Sequence, residues 1–217
     1  VNKPKRILTI LAPKILHEVT TFDDAEKEAF IRLLSEHARH RNIMAYATIP
    51  RLQEFISRQG VGGDILTGSS GVLNEYLAVV NANIGGGKSD AVVSQKIDFK
   101  ASINELGEIT NTVTITRKHN GAKAKEWWYR AANKNFLQLY TPLGSRLTAA
   151  EGRSRWPTLP KYDYRGYATS PDLAAIAETG RYNSELGIDR AIVSGKTVFS
   201  AWVNTPTGNS TTASFTY

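Results

Sequence analysis

The stretch Ile97-Asp-Phe-Lys-Ala-Ser-Ile-Asn-Glu-Leu-Gly-Glu-Ile-Thr-Asn-Thr-Val-Thr-Ile-Thr116 decides the fold class. Ile97, Phe99, Ala101 and Ile103 alternate with Asp98, Lys100 and Ser102, and Ile109, Asn111, Val113 and Ile115 alternate with Thr110, Thr112, Thr114 and Thr116. Successive side chains on a strand point to opposite faces, so a period of two reads as strand. The joint, Asn104-Glu-Leu-Gly-Glu108, is a short glycine-containing loop, and two alternating runs joined this way form a β-hairpin. Threonine is polar and favours strands, so the threonine row is expected to face water.

Working outward, the same period recurs. Tyr76–Ile84 reads as a strand ended by Gly85-Gly-Gly87, and the first arm of the hairpin begins at about Ala91. Asn135–Thr141 is a strand followed by a Pro142-Leu-Gly144 turn. Lys196–Asn204 carries Val198, Phe199, Trp202 and Val203 on both faces and is expected to be central. A Pro206-Thr-Gly-Asn209 turn leads to Thr211–Tyr217, with Ala213, Phe215 and Tyr217 inward. Glu126–Asn135 and Thr169–Gly180 read as short helices, and Arg153–Tyr167, with Pro157 and Pro160, as irregular. Six strands with turn signals predict a sandwich over residues 72–217.

Residues 1–63 follow another rhythm. Ile7–Leu11 and Ile43–Ala47 read as short buried strands. Pro13 opens a helical segment to about Val19. Thr21-Phe-Asp-Asp24 resembles a capping box, followed by Ala29, Phe30, Leu33, Leu34 and Ala38 on one helix face. Thr48-Ile-Pro50 starts a helix with Leu52, Phe55 and Ile56 inward, stopped by Gly60. Gly60, Gly62, Gly63, Gly68 and Gly71 mark the boundary. The expected fold class is α+β: a small N-terminal α/β module followed by a mostly antiparallel β-sandwich domain with short helical insertions.

Composition removes several functions. There is no cysteine, so disulfides, thiol catalysis and Cys-based zinc sites are excluded. No apolar run approaches the roughly 18 residues of a membrane span. The sequence begins at Val1 with no secretory leader pattern and is expected to be a mature or excised fragment. Net charge is +7, from 27 Lys and Arg against 20 Asp and Glu. The basic stretches Lys3–Arg6, Arg39–Arg41, Arg117–Lys125 and Arg153–Arg155 interleave no aromatics in the manner of a nucleic-acid module, so no nucleic acid is expected. They read as solvated surface charge, and anionic polymers such as cell-wall material are the partner class left open.

The candidate sites are few. Asn81, Asn83 and Asp90 bracket the glycine turn, and their oxygens could coordinate a hard cation such as Ca²⁺ or satisfy the turn's own backbone. Gly85-Gly-Gly-Lys-Ser89 resembles a phosphate loop in part, but Ala82 stands where the first glycine belongs and a strand is expected to follow. His37 and His40 lie three apart on a helix without further ligand spacing and read as surface histidines. Glu126, Glu151, Asp163 and Asp172 offer no reason to be paired as catalytic acids. Trp127, Trp128, Tyr129, Arg130 and Trp156, near Tyr162, Tyr164 and Tyr167, could form a sugar- or anion-binding surface or plug one end of the sandwich.

One resemblance joins these segments. Tyr76-Leu-Ala-Val-Val-Asn-Ala-Asn-Ile-Gly-Gly-Gly-Lys-Ser-Asp90 is similar to the signature of the bacterial domain-of-unknown-function family 4012. Arg41-Asn-Ile-Met-Ala-Tyr46 with Leu52-Gln53, Asn135-Phe-Leu-Gln-Leu-Tyr-Thr-Pro-Leu-Gly-Ser145, Glu151-Gly152, Gly195-Lys-Thr-Val-Phe199 and the closing Pro206 to Ser214-Phe-Thr-Tyr217 resemble further elements in the same order. The resemblance implies a membrane-anchored, outward-facing protein whose anchor is absent from this sequence and whose relatives continue with further β segments. It implies no activity. The expected function is a non-catalytic extracytoplasmic cell-surface module, in adhesion or envelope assembly. Its partners would be an envelope glycan, another surface protein or a second copy of itself. A surface-filament subunit assembling by strand addition and a polysaccharide-acting envelope enzyme are the alternatives.

Overall fold

The computed structural model describes residues 5–65, 75–155, 157, 163 and 165–217. The chain divides into two compact units, Val1–Leu66 and Thr67–Tyr217. Trp156, Tyr162 and Tyr164 lie outside the described residues, as do Gly68 and Gly71 of the glycine-rich stretch.

The described part of the first unit is helical: α1 (Arg6–Thr21), α2 (Asp24–Arg39) and α3 (Pro50–Arg58). The two strands expected there are not formed. Ile7–Leu11 lies inside α1, and Ile43–Ala47 has no strand partner. A five-residue apolar run fits a helix as well as a strand by periodicity alone. Helix satisfies its backbone locally, whereas a strand needs a neighbour. Pro13 does not open α1 but sits inside it. The α2 capping box is Asp23 with Glu26, two residues beyond the position expected: Glu26 N–H donates to Asp23 Oδ1 at 2.8 Å, and Asp23 N–H to Glu26 Oε2 at 3.0 Å. After α3, Gly60 at φ +71° closes a Schellman turn, with Gly60 N–H on Ser57 O and Val61 N–H on Ile56 O. None of the three helices contains a buried residue. Leu52 and Phe55, expected inward, are exposed.

The second unit is a two-sheet antiparallel β structure of sandwich type, so the chain as a whole is α+β. Its strands are β1 (Ala78–Asn83), β2 (Val93–Ile103), β3 (Ile109–His119), β4 (Asn133–Thr141), β5 (Ala149–Glu151), β6 (Arg181–Asn183), β7 (Ile188–Val193), β8 (Lys196–Thr205) and β9 (Ser210–Thr216). One sheet runs β1-β4-β8-β7-β6, the other β2-β3-β9-β5. The short helix α4 (Trp127–Arg130) precedes β4, and α5 (Pro171–Thr179) lies against β7.

The hairpin pairs in unbroken register from Val93↔His119 to Ile103↔Ile109. The outer threonines form a hydroxyl ladder with β9: Thr112 with Thr216, Thr114 with Ser214, and Thr116 with Thr212. Val113 and Ile115 face the other way, into a core with Leu137, Leu139, Phe199, Val203, Ala213 and Phe215. As the two-faced apolar pattern requires, β8 is central, between β4 and β7. The final strand β9 is also internal, between β3 and β5, with β5 pairing along Ser214–Thr216. Strands β5, β6 and β7 had no counterpart among the six expected.

Candidate functional site

Two places on the β unit gather polar side chains. The first lies under the glycine turn. The inward alternation of β3 runs past Ile115, so Arg117 and His119 are buried although they belong to the basic stretch expected in solvent. Arg117, 3% exposed, donates through Nη1 to Asn81 Oδ1 (2.7 Å) and Gln95 Oε1 (2.6 Å), and through Nη2 to Asn133 Oδ1 (3.0 Å). Asp90 Oδ1 stands 3.5 Å from Nη2. Burial pulls the guanidinium down from its ordinary pKa, and the Asp90 charge acts in the opposite sense.

The residues considered for Ca²⁺ are thereby placed. Asn81 Oδ1 accepts from Arg117 and from Asn135 Nδ2 at 2.9 Å. Asp90 Oδ1 also accepts from Asn133 Nδ2 at 2.9 Å. Asn83 donates to Gly86 O and Gly87 O and accepts from Lys134 N–H. The positive charge that the Asn81 and Asp90 oxygens face is therefore the Arg117 guanidinium. Among the described residues no three His, Asp or Glu side chains gather into a metal-sized cluster. The glycines are required by close approach: a Cβ on Gly86 would lie 2.0 Å from Asn83 Oδ1, and Gly87 sits at φ +62° with Trp128 O against it. Ser89 is buried and donates to Gly86 O at 2.7 Å. A 3-10 turn and then β2 follow it, not the helix that a phosphate loop requires.

This turn meets the aromatic segment. Lys88 N–H donates to Trp128 O at 3.0 Å. His119 Nδ1 accepts from Gly121 N–H at 3.1 Å, which leaves its proton on Nε2, 2.9 Å from Ala131 O. The stretch Trp127–Arg130 is thus fastened by backbone contacts. Trp127 is 66% exposed and meets Trp128 edge-on, while Trp128 and Tyr129 are half-buried. Arg130 Nη1 donates to Ala124 O and Lys125 O. The two clefts described below are lined by other residues than Trp127, Trp128, Tyr129 and Arg130, and Trp156 lies outside the described residues.

The second place is a cleft of about 700 Å³ beside β6 and β7, lined by Arg146, Arg181, Arg190, Tyr182 and Glu185 among others. Arg181 and Arg190 are directly opposed across the β6–β7 ladder. Like charges in that position destabilise a sheet unless something negative lies between them. Arg181 Nη1 is held by Glu178 O and Gly180 O. Among the described residues none of the three arginines forms an ion pair. A neighbouring cleft of about 440 Å³ shares Arg146 and holds Glu75, Glu108 and Tyr217. There Glu75 accepts from Asn111 Nδ2 (2.7 Å) and Tyr217 OH (3.4 Å). Burial first, then the Glu75 charge, pushes the Tyr217 phenol well above its ordinary pKa.

Nothing in the sequence reading pointed to the arginine cleft, because strands β6 and β7 were missed. A signal was present. Ser184-Glu-Leu-Gly187 repeats the Glu-Leu-Gly turn of Asn104-Glu-Leu-Gly107, and both glycines have positive φ (60° and 81°). In each turn an asparagine Oδ1 caps two backbone N–H groups, Asn104 for Leu106 and Glu108, Asn183 for Glu185 and Leu186. Among the described residues no helix is long and apolar enough to cross a membrane. Set against known proteins, the chain matches no family model, no curated protein and no solved structure.

Proposed function

We propose that this chain is a non-catalytic extracytoplasmic module of a bacterial cell surface, acting in adhesion or envelope assembly by holding an anionic envelope glycan. The observation that carries this reading is the cleft with Arg181 opposed to Arg190 and Arg146 at its rim. Three guanidiniums with no carboxylate partner among the described residues favour phosphate or uronate groups, which accept paired N–H donors in one plane. Tyr182 on the same wall offers a flat apolar surface for a sugar ring. The resemblance of Tyr76–Asp90 to family 4012 supports the outward-facing location, and the net charge of +7 suits an anionic polymer.

The test is binding to isolated cell walls with and without their anionic polymers. The intact walls are expected to retain the protein in a salt-sensitive way, and the stripped walls to lose it. Arg146→Gln with Arg190→Gln is expected to weaken retention roughly tenfold, as the loss of two charge-assisted contacts would. Equal binding to both wall preparations, or no effect of the double variant, would show the cleft has another use.

A further inference from the structure

The edges of the two sheets are treated unequally. β5 and β6 are each three residues long, and β1 stops at the glycine turn. β2 is eleven residues long, contains neither proline nor glycine, and carries no bulge against β3. A long straight edge of this kind is a template for another strand.

The backbone shows which groups are free. Asn111 and Tyr217 exchange both of their bonds, at 2.8 and 2.9 Å. Odd-numbered residues of β3 therefore turn N–H and C=O toward β9, and even-numbered ones toward β2. The β2 partners of those even residues are themselves even: Ser94, Lys96, Asp98, Lys100 and Ser102. The N–H and C=O groups of Gln95, Ile97, Phe99, Ala101 and Ile103 point to the other edge, where no strand pairs with them among the described residues. Their side chains share the core-side face of the sheet yet lie open, with Phe99 44% and Ile103 70% exposed. The opposite face reads Lys96, Asp98, Lys100, positive, negative, positive, with Lys96 Nζ 2.7 Å from Asp98 Oδ1.

We propose that β2 pairs antiparallel with β2 of a second copy of this chain, in the register that sets Phe99 against the partner's Phe99. In that register Asp98 faces the partner's Lys100 twice over, and Ile97 faces the partner's Ala101. The register one step away, centred on Asp98, sets two aspartates against each other and Lys96 against Lys100, which is repulsive. The register centred on Ile97 also brings Lys96 to Asp98 but sets the ring of Phe99 against polar Gln95 in the middle of the seam, whereas the Phe99 register leaves Gln95 against Ile103 only at its ends. Charge and apolar matching together select the Phe99 register. The contact is two-fold, so it consumes both free edges and closes as a dimer rather than a filament. It joins two four-stranded sheets into one continuous sheet and covers the apolar strip of each with the other.

Sedimentation equilibrium of the whole chain tests this. The wild-type protein is expected to dimerise with concentration. Asp98→Lys and Lys100→Asp each place like charges across the seam, and each is expected to weaken the dimer about tenfold or more. Mixed in equal amounts, the two variants regain both opposite-charge pairs and are expected to associate as tightly as wild type, as is the double variant D98K/K100D. Ala101→Pro removes an N–H that points to the free edge and none that bonds β3, so it is expected to abolish the dimer. Unchanged thermal unfolding of the charge variants shows that they fold. A wild-type monomer at every concentration overturns the proposal. So does a Lys100→Asp variant that dimerises like wild type, or a mixture that fails to recover, which would place self-association elsewhere on the chain.

Discussion

Helices α1, α2 and α3 bury no residue, whereas β8 alone buries nine of its ten. Both regions are well supplied with large apolar side chains. Ile7, Leu16 and Phe55 stand in solvent, while Phe199, Trp202 and Val203 are enclosed. The difference is one of layers. A helix hides one stripe and needs a second surface to hide it against. A sheet can stack on another sheet, and its central strand is then covered on the stacked face and flanked by a neighbour at each edge. Apolar composition supplies the drive to bury; the number of facing layers decides whether burial happens.

The strongest way to break this comparison is to cut the same kind of group from both regions. Phe215→Ala empties a fully enclosed position and is expected to cost about 4 kcal/mol in urea-induced unfolding of the β unit. Leu16→Ala, at an exposed helix position, is expected to change stability by no more than about 0.5 kcal/mol. Similar losses at both positions would show that the helices have a core of their own. A second probe asks whether the β unit depends on its polar interior as well as its apolar one. Arg117→Ala leaves the Asn133 and Gln95 side-chain oxygens without their donor and Asn81 Oδ1 with only Asn135, and is expected to cost about 3 kcal/mol. A cost near zero would mean that water replaces the guanidinium.

The smallest effect sharpens the contrast through pH. The phenols of Tyr217 and Tyr140 both sit above their ordinary range in the folded chain, chiefly through burial. The folded state keeps protons that the unfolded chain gives up near pH ~10. Their contribution is therefore complete below that value and is lost as pH rises through the folded values. Tyr217→Phe is expected to flatten the alkaline fall in stability and to cost about 1 kcal/mol at neutral pH, where the hydroxyl donates to Glu75. An unchanged alkaline slope would assign it to Tyr140 or to other groups.

Much of the sandwich was legible because alternation is a local property. The threonine face of β3 follows from period two, the Asn104–Glu108 loop from its glycine-containing turn, and the central place of β8 from apolar residues on both faces. The same rule, carried four residues past Ile115, would have put Arg117 and His119 inside. It was stopped because charge was read as exposure, and a buried guanidinium is tolerated only where acceptors from β1, β2 and β4 converge, which no single segment reveals. β6 and β7 escaped because β6 is only three exposed residues and β7 is mostly half-buried, so neither shows a cleanly apolar face.

By itself the sequence determined the hairpin, the inward rows of Val113, Ile115, Ala213 and Phe215, and the absence of any cysteine-based chemistry. These depend on residue type and on spacing along the chain. The tertiary structure alone decided that Asn81, Asp90 and Asn133 meet around Arg117, that Arg181 opposes Arg190, and that β2 rather than the last strand is left as the open edge. The first and last of these join segments distant in sequence, and the second depends on the register of a short hairpin; strand order across a sheet is set by how the two layers close on one another.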